Sequence, residues 1–209
     1  TGPRTFALIA LGLVGIGLVV GLVGLPTYLA QRRLLGGKPW DGTVGAYAMI
    51  EGTVKDPTPV KVGSRTAAIG ESKAYDGEGS DSRLVWQRFH ADGTFLLETA
   101  RGTIEVSPDH VEWATSIVGT QDKSVEGADR LHYEVVPVGG RAIAVGWIER
   151  GNTPVLQLRS RGRTPALLVA TGPNGYPRGW LARQRISRLV TFALMLAYGG
   201  AVLWYYGLV

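Results

Sequence analysis

Apolar residues gather at the two ends of the chain and charges in the middle. Thr5 to Ala30 and Leu189 to Val209 hold no charged residue, and all 17 acidic residues lie between them. As helices rising about 1.5 Å per residue, these stretches reach about 39 Å and 31 Å, against a hydrocarbon core about 30 Å thick. A secretory leader has an apolar core of only about 7–15 residues that closes on small residues, and Tyr28 stands where a small residue should precede a cut after Ala30. The pattern predicts two transmembrane α-helices flanking an all-β soluble domain, a meander or barrel. The expected divisions are residues 1–30, a first helix with a short outer tail; 31–40, a basic link; 41–177, the β-rich domain; 178–188, a second basic segment; and 189–209, the second helix.

Between the ends, β-branched and aromatic runs alternate with turn dipeptides, which reads as strands. Ala46 to Lys55 is the first. Leu84 to Phe89 and Thr94 to Thr99 flank Asp92-Gly93, a strong hairpin signal because both residues tolerate positive φ. Phe95 to Thr99 and Thr103 to Val106 flank Ala100-Arg101-Gly102, and His132 to Val138 and Arg141 to Ile148 flank Gly139-Gly140. Three hairpins are therefore expected, with Tyr75 to Ser82 as an exposed loop.

The net charge of +5 is unevenly placed. Residues 41–177 hold 14 Lys and Arg against 17 Asp and Glu, three more acidic than basic. The excess comes from Arg4, Arg32, Arg33 and Lys38 and from Arg178, Arg183, Arg185 and Arg188, beside the apolar ends. Such residues meet anionic headgroups at about 1 kcal/mol each, so Arg32, Arg33, Lys38 and the last four arginines are the expected membrane-surface set. Arg159, Arg161 and Arg163 extend them into a strip of one sign, to be weighed against an ordinary solvated face. Nucleic acid is not an expected partner, since basic and aromatic residues do not interleave on one surface. Basic residues flanking a span stay in the cytoplasm, which places the domain there and both termini outside, in a bacterial inner membrane.

Glycines mark helix packing. Gly17 and Gly21 have the four-residue spacing that lets helices approach closely, Gly12 and Gly24 extend the row, and Gly199 and Gly200 offer a matching patch on the second helix. Other integral membrane subunits are the expected partners. Trp40 and Trp180 at the inner face and Trp204, Tyr205 and Tyr206 toward the outer end are the expected interfacial anchors.

Candidate chemistry is sparse. Without cysteine, thiol catalysis, disulfides and Cys-type zinc sites are excluded. His90, His110 and His132 form no ligand pair, and His90 with Asp92 is the nearest to a metal seed. The Gly15 to Gly21 row has the wrong spacing for a dinucleotide turn, and Asp122 replaces the glycine that a phosphate loop needs before Lys123-Ser124. No charged residue or histidine lies inside either apolar stretch, which argues against a proton relay. No catalytic residue, metal or cofactor is expected.

The block Phe95 to Pro108, with Ile50-Glu51-Gly52-Thr53-Val54, Gly146 in an Ala-Val-Gly strand and an apolar helix behind arginines, resembles the "beside-a-membrane" (BAM) domain of GIDE-type proteins, here a prokaryotic-like form without a RING. Eukaryotic members are membrane-bound ubiquitin ligases whose zinc-holding RING follows the second helix. A chain without cysteine cannot build that RING, so the resemblance implies a membrane domain without ligase activity. The expected function is a non-catalytic two-pass accessory subunit of a larger membrane complex, respiratory or photosynthetic. The alternatives are a membrane-tethered scaffold recruiting soluble partners and, behind it, a membrane-proximal hydrolase.

Overall fold

The computed structural model describes Gly12, Gly15, Leu29 and residues 32–77, 81–125, 127–151, 155–162 and 164–205, apart from the side chains of 123–125 and 203. The chain divides into two compact units, Thr1–Leu35 with Gly179–Val209, and Gly36–Arg178.

The second unit is built on a closed ring of five strands. These are β1 (Tyr47–Lys55), β5 (Phe95–Thr99), β6 (Gly102–Val106), β11 (Leu156–Arg159) and β10 (Arg141–Arg150), each hydrogen-bonded to the next and β10 back to β1. The β6–β11 seam is parallel and the other four contacts antiparallel. Two further strands extend the wall from β10: β12 (Ala166–Thr171) pairs with it antiparallel, and β7 (Val111–Thr115) pairs with β12 parallel. So β10 carries β1 on one edge and first β12, then β11, on the other, which is why it runs ten residues.

Alternation decides what fills the ring. Phe95, Leu97, Ile104, Val106, Leu158, Val54 and Ile148 point inward and are at most 1% exposed. Five strands enclose only room for side chains, and β10 answers these large residues with Ala142, Ala144 and Gly146. At Gly146 a Cβ would come within 2.8 Å of Leu158 Cδ1 and 3.0 Å of Ala166 Cβ.

A second sheet orders β8 (Val118–Val125), β9 (Ala128–Pro137) and β3 (Arg65–Asp76), with β2 (Val60–Val62) and β4 (Arg83–Ala91) sharing the far edge of β3. Ala68, Ile69 and Val136 join its inner end to the barrel core. Along the edge strand β4 the register shifts where Ala74 and Tyr75 of β3 are reached, a bulge of the kind that blunts an open sheet edge.

Two expected hairpins are not hairpins. β4 pairs with β3 and β5 with β1 and β6, so Asp92-Gly93 carries the chain from one sheet into the barrel. Gly139-Gly140 likewise passes from β9 to β10, which do not pair. The positive φ of Gly93 and Gly139, +81° and +78°, turns the chain as the residue types foretell. It does not say which strands lie on either side. The third hairpin, β5–β6, is present with Gly102 at φ +126°.

The fold class with two flanking transmembrane helices needs correction. Among the described residues one helix, α1 (Pro177–Tyr205), contains a stretch long and apolar enough to cross a membrane, within Pro177–Val202. The two-pass assignment is therefore not supported. Most of the first apolar segment, including Gly17, Gly21 and Gly24, lies outside the described residues. Within it only Gly12, Gly15 and Leu29 are described, each helical, and a helical stretch at 32–36 follows it.

Candidate functional site

The outer wall of the barrel changes character at the parallel seam. Gln157 on β11 sits opposite Glu105 on β6. Its Nε2 donates to Glu105 Oε2 at 3.2 Å, while its Oε1 accepts from Arg159 Nε at 3.0 Å and Nη2 at 2.5 Å. The amide thus stands between a carboxylate and a guanidinium and holds both. Gly151 fixes its place, because a Cβ there would come within 2.2 Å of Gln157 Cδ. Thr94, Ser107 and His110 complete a groove of 210 Å³ with Leu158 at its floor. Ser107 follows β6, and His110 ends the 3-10 turn Pro108–His110 that comes next.

Beside the groove, Trp147 lies opposite both Arg159 and Tyr47 in register. The Tyr47 and Trp147 rings meet edge to face at 5.6 Å, and the Arg161 guanidinium covers the Trp147 ring at 5.1 Å. Of the arginines weighed as a strip, Arg159 is bound to Gln157 and Arg161 stacked on Trp147, while Arg163 lies outside the described residues.

Arg178 is also engaged. Its Nε is 3.3 Å from Glu51 Oε2, and Arg141 Nη2 is 3.5 Å from Glu51 Oε1, so one carboxylate on β1 bridges two guanidiniums. Trp40 is not an interfacial anchor. It is 8% exposed within the barrel core, and its indole N–H donates to the Thr43 carbonyl at 3.0 Å. Arg32, Arg33, Lys38, Arg183 and Arg188 are exposed, Arg185 and Trp180 half-buried. Trp204 and Tyr205 are 78% and 79% exposed, and Tyr206 lies outside the described residues. Of the helix-packing glycines, Gly199 is buried. Gly12 and Gly200 are exposed, with open space where a side chain would start.

The histidines remain apart. His90 Nε2 is 2.7 Å from Ser72 Oγ. Burial, reinforced by the Arg88 guanidinium, pushes His90 below the ordinary imidazole range. His132 Nδ1 is 3.1 Å from Thr120 Oγ1, with its ring edge to face against Tyr75. Among the described residues no three His, Asp or Glu side chains converge as a metal set. Ser72–His90 has the composition of a nucleophile and its base, but Ser72 is 3% exposed inside a sheet and no substrate reaches it without opening the strands. Of the groove residues the sequence points only to His110 and Arg159, each for another reason; Glu105 and Gln157 are 52 positions apart and only the parallel seam joins them.

No protein-family model, curated protein or solved structure matches this chain significantly.

Proposed function

We propose that this chain is a non-catalytic membrane-attached accessory protein, in which helix α1 inserts into lipid and the β-body, held close to the surface, meets its partner. The observation that carries this reading is the state of the helix. Only 6% of its most apolar 18-residue window is buried, and Leu194 and Tyr198 stand 65% and 63% exposed. Apolar surface so continuous needs lipid or another protein to cover it. Residues 189–205 form a charge-free run of about 26 Å at helical rise, near the lower limit for a span. Arg183 and Arg188, exposed at its body-side end, supply the basic flank that favours keeping the body in the cytoplasm.

The resemblance to GIDE-type proteins supports the same reading of a β-domain beside a membrane. The absence of an accessible nucleophile–base pair among the described residues favours adaptor over hydrolase. Alkaline carbonate extraction of membranes containing the full chain tests the attachment. Retention in the pellet is expected, and release into the supernatant would overturn it.

A further inference from the structure

The groove at the β6–β11 seam lies outside that reading and has the makings of a binding site. Its wall presents a carboxylate, an amide and a guanidinium in one hydrogen-bonded row, Glu105–Gln157–Arg159, with the hydroxyls of Thr94 and Ser107 and the imidazole of His110 around it. The bare Cα of Gly151 leaves room for the Gln157 amide, and its hydrogen bonds to Glu105 and Arg159 hold the row together. We propose that this groove binds a neutral polyhydroxylated ring, a monosaccharide unit.

Three features of the wall select that class. One carboxylate and one guanidinium balance, so an anion would meet Glu105 and a cation Arg159, whereas an uncharged ligand offends neither. The wall mixes donors and acceptors, and a hydroxyl is both at once. Carboxylate and guanidinium are planar groups with two polar atoms at a fixed spacing, the shape that grips neighbouring hydroxyls in pairs, and Gln157, bonded to both, keeps them in register. The volume of 210 Å³ is many times the roughly 10–15 Å³ that a single water needs, room for a small ring.

Saturation-transfer NMR on the full chain in lipid nanodiscs, prepared without glycoside detergent, tests the assignment. The probes are the methyl glycosides of glucose, mannose and galactose, with acetate and inorganic phosphate alongside. Transfer to at least one glycoside is expected, undisturbed by the two anions. Gln157→Ala and, separately, Gly151→Ala should each weaken it by roughly ten-fold, the upper weight of one neutral hydrogen bond. Gly151→Ala removes no polar atom from the groove and acts by displacing Gln157. Its circular dichroism spectrum, matching the unmodified chain, separates displacement from unfolding. If that variant unfolds, Gln157→Ala with Ser107→Ala decides. No transfer to any of the three glycosides, transfer unchanged in the variants, or displacement by phosphate or acetate would each overturn the proposal.

Discussion

Truncating one leucine at the parallel seam should show whether the barrel is closed there. Leu158 is 1% exposed, and its Cδ1 lies against Gly146. Leu158→Ala removes three carbons, about 2.4 kcal/mol at about 0.8 kcal/mol per buried methylene. A cavity term is added to the degree that neighbours fail to close in, and measured Leu→Ala costs run from about 2 to 5 kcal/mol. Gly146, on the neighbouring strand β10 and against Leu158 Cδ1, has no side chain to swing into the gap. The loss therefore belongs in the upper part of the range, about 4 kcal/mol. For a domain of this size it corresponds to a fall in melting temperature of roughly 12 °C, at about 3 °C per kcal/mol. Thermal unfolding of the full chain, followed by near-ultraviolet circular dichroism, reads it against Leu96→Ala, a half-buried outward residue of β5, expected to cost less than about 1.5 kcal/mol. Equal, small shifts for both variants would mean that β11 does not close the barrel.

Gly52 pairs with Ala142 on one side and Thr99 on the other, and a Cβ there would lie 2.5 Å from the backbone oxygen of Glu98. Gly52→Ala should cost about 3 kcal/mol, the upper end for overpacking, because a carbonyl within a ladder cannot swing away; a denaturant midpoint unchanged from the parent would refute the contact. His90 titrates below its free value of 6.5 when folded, so the unfolded chain binds the extra proton first. Stability is complete above that value and declines as pH falls through the folded one. Denaturation midpoints measured from pH 7.5 to 5 should fall less steeply in His90→Gln, and parallel curves would contradict the burial of this ring. Glu51→Gln breaks a bridge whose three side chains are 27% to 50% exposed; a loss below about 1 kcal/mol, shrinking with added salt, is expected, and a larger salt-independent loss would contradict the solvent-screened geometry.

The strands were legible in the sequence where alternation was regular. The β5–β6 hairpin is visible because buried and outward residues alternate around a turn that needs glycine, and Ala46 to Lys55 because it is an apolar, β-branched run, although Ala48, Met49 and Ile50 are buried in succession. Partners were less legible. Asp92-Gly93 and Gly139-Gly140 carry full turn chemistry, yet each joins strands of different sheets, since a turn fixes the local bend and the pairing is settled by burial of Phe95, Ile69 and Val136 in one core. Trp40 shows the same limit. An indole near a membrane link satisfies the composition of an interfacial anchor, and only the closing barrel reveals the cavity it fills. The groove was the least legible feature, since Thr94, Glu105, His110 and Gln157 come from segments with no common motif. The arginines beside α1 were legible as a charge pattern, but Arg178 faces Glu51, a partner 127 positions earlier that no local spacing announces.

The central claim, that α1 lies in lipid while the β-body stands in water, is tested most directly by single-cysteine labelling, for which a chain with no cysteine is already suited. Leu194→Cys on the helix and Thr120→Cys on the exposed edge strand β8 would be treated in native membranes with a membrane-impermeant maleimide, after opening the vesicles so that both faces are reached. The account predicts rapid labelling at position 120 and none at 194 until detergent is added. Equal labelling at both positions before detergent would contradict it.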